Sequence, residues 1–258
     1  MMAAGKKYLI FNTNIGKNKP ENIVNADAGC PFCDREHLTD ILASDGPILL
    51  IKNKYPVLID TFQTVLIETD ECNTDLSLYS KDHLYRVIKF GVEKWQEMTQ
   101  SGEFTSVIFY KNHGPYSGGT IRHPHMQIVG LKEVDYTKNI DVESFQGTII
   151  HQNNGVELNL SHEPRNGFFE FNVLLSDLKY LNQMADYIQI MTHYLLHHFH
   201  KNFKSYNLFF YQIDDQILAK ILPRFVTSPL FIGYSIPQVS TRAAEVVKEI
   251  QSIYFSEI

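Results

Sequence analysis

Cysteine is scarce in this chain: three residues in 258, an odd number too small for a disulfide framework. Basic charge is short as well. Lys and Arg number 23 against 29 Asp and Glu, a net charge of −6, which argues against the basic surface of a nucleic-acid-binding protein. A small anion is still acceptable, because local donors override a weak global field. No apolar run reaches the roughly 18 residues of a membrane span, and Met1 to Phe11 holds too short an apolar segment for a signal peptide. A cytoplasmic protein without nucleic-acid or membrane partners is the expectation. What is present is ordinary: 44% hydrophobic and 20% charged residues, in a chain long enough for one large domain or two modest ones.

The few cysteines are not scattered. Cys30 and Cys33 bracket a Cys-Pro-Phe-Cys pair, and Cys72 stands alone. Such a pair in a reducing compartment signals metal or redox chemistry. A thioredoxin-like site needs a strand leading into it, whereas Asn22 to Gly29 is polar and reads as a loop. Metal is favoured.

The most informative stretch runs from Lys111 to Gln127. A strand-like segment, Thr105 to Tyr110, enters a loop rich in Gly, Pro and small polar residues, and the chain leaves it through a second apolar segment, Met126 to Leu131. Gly118, Gly119 and Thr120 offer close backbone approach, N–H donors and a hydroxyl, which suit a phosphate. His123 and His125 follow at i and i+2, and in a strand they share a face with Gln127. An imidazole beside a phosphate-shaped loop is what nucleophilic attack on phosphorus requires.

These residues, Asn112, the Gly118-Gly119-Thr120 loop and His123-Pro124-His125-Met126-Gln127, resemble the catalytic stretch of the galactose-1-phosphate uridylyltransferase-like branch of the histidine-triad (HIT) superfamily. The resemblance implies that His125 is the nucleophile that carries a covalent nucleotidyl group. It implies Gln127 where the hydrolytic branch has a third histidine, and Gln can donate to a phosphoryl oxygen but cannot relay a proton. Transfer is thus favoured over hydrolysis. Asn112 matches the family Asn before the glycine loop, which implies a role in orienting the phosphates or the imidazole, and Thr120 matches a family serine that contacts phosphate. Asn53 and Tyr55 resemble a segment along the nucleoside, though Tyr55 is equally a core aromatic. For the metal, the resemblance joins Cys30 and Cys33 to His123 and to a ligand after the second strand. Cys72 falls there in place of the family's histidine, giving a Cys₃His structural zinc site, with Glu71 as the alternative ligand. The segment 219–223 lacks the His-x-His that holds a second metal in some relatives, so none is expected there.

Along the chain, Lys6 to Asn12 reads as a short strand and Lys17 and Lys19 as a basic loop, solvated or reaching a phosphate. A short helix from Asp34 to Leu42, strands Ile48 to Asn53 and Thr64 to Glu68, and a helix from Ser80 to Met98 precede the central loop. The second half repeats this order: strands Gly147 to Leu160 and Gly167 to Leu175, a helix Leu178 to Phe203, a strand pair Tyr206 to Ile213 and Ile217 to Pro223, and a final helix from about Thr241 to Phe255. His193, His197, His198 and His200 on that long helix tempt a metal reading, but Asp186, Gln189, His193, His197 and His200 simply trace its polar side, opposite Met191, Leu195 and Phe199. The expected fold class is α+β: two HIT-like halves, 1–145 with the catalytic loop and 146–258 without it, each an antiparallel sheet with a packed helix. The implied activity is nucleotidyl transfer from a nucleotide sugar to a sugar 1-phosphate. Nucleotide-sugar or dinucleoside polyphosphate phosphorylase, and a non-catalytic zinc-stabilised nucleotide-binding protein, stand as alternatives. The partners are small molecules, and oligomeric state has no signal beyond a guess at a homodimer.

Overall fold

A computed structural model describes residues 8–23, 25, 27–201 and 203–256. The strand expected from Lys6 begins outside the described residues, and its remainder makes only an isolated bridge, Phe11 to Leu58. The short α1 (Thr13–Gly16) follows, capped by the Asn12 side chain. The chain then builds two compact units, 1–75 with 86–111 and 119–140, and 76–85 with 112–118 and 141–258.

In the first unit, β1 (Ile41–Asp45), β2 (Ile48–Lys52) and β3 (Thr61–Ile67) form an antiparallel meander. Helix α2 (Lys81–Gln100) follows, and then β4 (Ser106–His113) and β5 (His125–Leu131). The lateral order is β1-β2-β3-β5-β4, so β5 inserts beside β3. The sheet is apolar on both faces because both are covered. On one face Val65 and Ile67 pack with Ile51 and Phe32. On the other, α2 lays Gly91 against Leu66 and Phe109, and Trp95 donates its Nε1–H to the Val107 carbonyl at 2.9 Å.

The second unit repeats the construction. Its strands β6 (Gly147–Asn153), β7 (Val156–Ser161) and β8 (Phe171–Leu175) form a meander, followed by α3 (Leu181–His197), then β9 (Tyr206–Ile213) and β10 (Gln216–Pro223). Here too the last strand inserts beside the third, β10 pairing with both β8 and β9. Helices α4 (Pro229–Tyr234) and α5 (Ala243–Tyr254) complete the unit. A further difference between the repeats lies in one connection: residues 114–124 join β4 to β5, whereas Asp214-Asp215 alone join β9 to β10.

Several local expectations change. Asp34 to Leu42 is not a helix but one 3-10 turn, Arg35–His37, and β1 begins at Ile41. The β1–β2 hairpin closes on Gly46 at φ +58, a conformation glycine adopts without cost. Gly147 to Leu160 is two strands rather than one, because Asn154 and Gly155 both take positive φ and make the tight turn that matches strand twist. The long second helix is shorter, a 3-10 turn followed by α3, which ends at His197. Helix α4 was not foreseen. No described helix is long and apolar enough to cross a membrane.

Gly91 sets a test of the first unit's packing. A Cβ there would meet Phe109 Cζ at 2.6 Å, and Phe109 is buried behind Trp95. Overpacking costs about 1–3 kcal/mol, whereas Gly→Ala within a helix gains at most about 1 kcal/mol. Gly91→Ala should therefore destabilise the protein by about 1 kcal/mol in urea unfolding. A raised midpoint would show that Phe109 gives way freely.

Candidate functional site

His125 opens β5, opposite Ile67 of β3, and Gln127 pairs with Val65 two residues on. The two therefore share a face, the one that Phe32 covers. The expectation that His123 joins them in the strand is corrected: it lies in a bend, because Pro124 offers no N–H to a ladder and the strand starts after it. Both imidazoles nonetheless pack on one ring. Phe32 meets His123 edge-on at 5.9 Å and His125 at 5.4 Å between centroids.

The hydrogen bonds fix both tautomers. His125 Nδ1 lies 2.7 Å from the His123 carbonyl. A carbonyl only accepts, so Nδ1 carries the proton and Nε2 keeps its lone pair. Burial pushes the His125 imidazole down to about 4. The bond to His123 opposes that shift, while the charges of Lys111 and Lys19 add to it. His123 is oriented the opposite way: its Nε2 donates to the Thr69 carbonyl at 2.8 Å, leaving Nδ1 bare. That nitrogen faces Cys30 Sγ and Cys33 Sγ, each at 3.6 Å.

Cys30, Cys33, Cys72 and His123 present four ligand atoms all within 4.8 Å of one another, a set compatible with a structural metal site. Glu71 is not in the group. Burial and neighbouring sulfurs push the Cys33 thiol up to about 12, and burial also raises Cys72. Cys30 is drawn down to about 6, where burial is outweighed by its bonds to His123 and the Phe32 backbone. Three sulfurs this close hold one negative charge readily and three only around a cation.

Below the histidines lies a second buried feature. Lys111 and Glu68 form an ion pair with side chains 1% and 0% exposed, and Lys111 Nζ also donates to the His125 carbonyl at 3.3 Å. Nothing in the sequence flags this pair beyond two charged residues at the ends of apolar runs. Phe32 was passed over in the same way, as the apolar residue inside Cys-Pro-Phe-Cys. A third such residue is Asn22, 2% exposed. Its N–H donates to the Thr120 carbonyl at 2.9 Å, its Oδ1 accepts from Arg122 N–H at 2.7 Å, and its Nδ2 has no partner among the described residues.

The other predicted residues divide. Gly119 and Thr120 fall in the first unit, Asn112 and Gly118 in the second. Gly118 sits at φ +86, so this turn requires glycine. Asn112 Oδ1 accepts from Asn207 Nδ2 at 2.6 Å. Asn53 turns inward on its own loop, Oδ1 accepting the Tyr55 N–H at 2.8 Å, and Tyr55 is half-buried. No described contact brings either to the histidines. Lys19 is half-buried, its ammonium pushed down by desolvation.

Two family descriptions cover almost the whole chain: the N-terminal domain of a domain of unknown function, DUF4931, over residues 11–134, and its C-terminal domain over 137–255. The chain belongs to the DUF4931 family. A solved DUF4931 protein from Bacillus cereus ATCC 10987 is 47% identical, covering 84% of this chain and 100% of its own, with a TM-score of 0.77. A uridylyltransferase (15% identity, 88% of this chain and 91% of its own, TM-score 0.69) has the same fold. So does an ADP-glucose phosphorylase from Arabidopsis thaliana with bound ADP-glucose (15% identity, 95% of both chains, TM-score 0.70). No curated protein matches the sequence. This DUF4931 chain thus shares its fold with a uridylyltransferase and an ADP-glucose phosphorylase.

The buried pair gives a direct test. Lys111→Met strands the Glu68 carboxylate and should cost about 3–5 kcal/mol in chemical denaturation. The double variant with Glu68→Leu should recover most of that loss. Equal stability of single and double variants would show that the pair is not desolvated as described.

Proposed function

We propose that this DUF4931 protein is a nucleotidyltransferase that works by double displacement on His125. The observation that carries the reading is the Nδ1–H bond to the His123 carbonyl, which leaves Nε2 as a neutral, unprotonated nucleophile. Nε2 would attack the α-phosphorus of a nucleoside diphosphate sugar. The N–P bond forms as the P–O bond to the sugar phosphate breaks, and that phosphate leaves as the anion. The ring's new positive charge is shared with Nδ1–H, which the His123 carbonyl already holds. An acceptor phosphate, on a sugar or inorganic, then displaces the histidine from phosphorus and restores the neutral imidazole. No general acid is needed, because a phosphate leaves without taking a proton. That fits Gln127, half-buried on the same face and able to donate only an amide N–H to a phosphoryl oxygen.

The phosphates would be held by groups of several kinds. Gly118, Gly119 and Thr120 supply the loop, and Asn112 its first polar side chain. Lys19 brings a cation whose charge already reaches His125. The unpartnered Nδ2 of Asn22 adds a buried donor beside Thr120. Asn53 and Tyr55 remain our assignment for the nucleoside.

Zinc suits the four-ligand cluster. Zn–S near 2.3 Å and Zn–N near 2.0–2.1 Å put tetrahedral N···S edges at about 3.6 Å, and both Sγ···Nδ1 distances from His123 are 3.6 Å. With no open position, the ion would be structural. It would tie the Cys30–Cys33 segment, and with it Phe32, to the residue two before the nucleophile.

Intact-protein mass spectrometry after brief incubation with UDP-glucose, ADP-glucose or diadenosine tetraphosphate, quenched at alkaline pH, tests the mechanism. One donor should leave a nucleoside monophosphate on the wild type and none on His125→Asn. Thermal stabilisation by these ligands without adduct or turnover would favour a binding protein instead. Metal analysis provides a separate check: about one equivalent of zinc is expected, falling by more than half in Cys72→Ser and unchanged in Glu71→Gln. Full occupancy in Cys72→Ser would remove Cys72 from the ligand set.

A further inference from the structure

The second unit contains a cavity of about 400 Å³ whose lining includes none of the residues assigned above to the transfer reaction. Its walls are aromatic. Phe168 and Phe225 stack at 5.9 Å and 20°, and Phe199 meets Phe169 and Phe203 edge-on, each at 5.4 Å. Packed interiors leave few voids larger than a water molecule, whereas ligand pockets start at about 300 Å³. This space is therefore of the second kind in size.

Its charge is one-sided. Lys204, Arg224 and Arg242 line the cavity, and no carboxylate is among the described lining residues. Glu245 neutralises part of Arg242 from outside, at 3.0 Å. Glu249, bonded to the lining Tyr194 at 2.9 Å, adds to that compensation of Arg242. Arg224 instead spends its described side-chain bond on a neutral amide, donating from Nη1 to Asn207 Oδ1 at 3.1 Å. Apolar rings beside two cations, Lys204 and Arg224, that form no ion pair among the described residues call for a ligand with a flat apolar body and a negative group. We propose that this cavity binds a small organic anion with an aromatic ring, the ring against Phe168, Phe225 and Phe199 and the anionic group on Lys204 and Arg224.

The cavity also touches the glycine-rich connection. Tyr116 is on its wall, and the Tyr116 N–H donates to Ser205 Oγ at 3.0 Å. Asn207, whose amide Arg224 orients, donates from Nδ2 to Asn112 Oδ1 at 2.6 Å and to the Ser117 carbonyl at 3.0 Å. At Gly114 a Cβ would lie 1.9 Å from the Lys204 carbonyl, so the connection packs directly on the residues that flank the cavity. An anion on Arg224 draws on the guanidinium that sets the Asn207 amide, and the segment 112–118 registers it. Binding here stands whether or not His125 transfers nucleotidyl groups.

Calorimetric titration of the full chain with phenyl phosphate tests the site, with inorganic phosphate and benzyl alcohol as the charge-only and ring-only arms. Phenyl phosphate should bind more tightly than either. Its affinity should fall at least about tenfold, the worth of one charge-assisted contact, in Lys204→Gln and in Phe225→Ala. Lys19→Gln, in the first unit, should leave it unchanged. If Phe225→Ala fails to fold, Lys204→Gln alone decides. No binding at millimolar ligand, phosphate binding equally well, or a loss in Lys19→Gln but not in Lys204→Gln would each overturn the proposal. Hydrogen exchange of residues 112–118 should slow with phenyl phosphate bound, and unchanged exchange there overturns the coupling.

Discussion

Two imidazole–carbonyl hydrogen bonds set how the paired histidines of the first unit face their surroundings. One peptide oxygen, that of Thr69, takes a proton from His123 Nε2 and so turns Nδ1 toward the thiols. The next, that of His123 itself, takes a proton from His125 Nδ1 and turns Nε2 outward. Two residues of one type, two positions apart, thereby acquire opposite tautomers. Neither assignment needs a charged partner. Both follow from backbone carbonyls, and the backbone between them is itself tied down where the Pro124 carbonyl accepts the Glu68 N–H.

The second unit shows what the scaffold does without that arrangement. By register, His125 opens β5 opposite the last residue of β3, and the residue opposite the last of β8 is Ile217. A two-residue turn there stands in place of the long 114–124 connection. The strand interior holds a buried Lys220–Glu170 pair instead, with Lys220 also donating to the Ser144 carbonyl. The buried Lys220 ammonium thus finds two oxygen partners within the protein, the Ser144 carbonyl and the Glu170 carboxylate.

Much of this was legible beforehand for physical reasons. Strand–helix–strand order follows from the periodicity of apolar residues, and the helix at Lys81–Gln100 and the β4–β5 and β9–β10 pairs stand within a few residues of where periodicity put them. The central stretch concentrates unusual residue types within a short span, so local sequence was enough to identify it. Long-range partners were not legible. Phe32, Asn22, Glu68 and Lys111 gain their meaning only from strands that bring distant segments together, and none departs from what a surface or core residue looks like alone. Helix α4 escaped because its apolar residues are exposed rather than periodic, with Ile232 and Tyr234 more than 70% exposed. The turn at Asn154-Gly155 was missed although its dipeptide is a standard hairpin signal.

The four-ligand cluster bears on how the chain folds. Cys30 and Cys33 lie 93 and 90 positions from His123, so the cluster is a contact of high order that assembles only after β5 has found its place beside β3. Until then the thiols are open on a segment with little structure of its own. A metal captured at that stage would close a long loop at a late step and lock the register of the strand that begins with His125. A metal bound there would then bear on how fast the chain folds, and not only on how stable it is once folded.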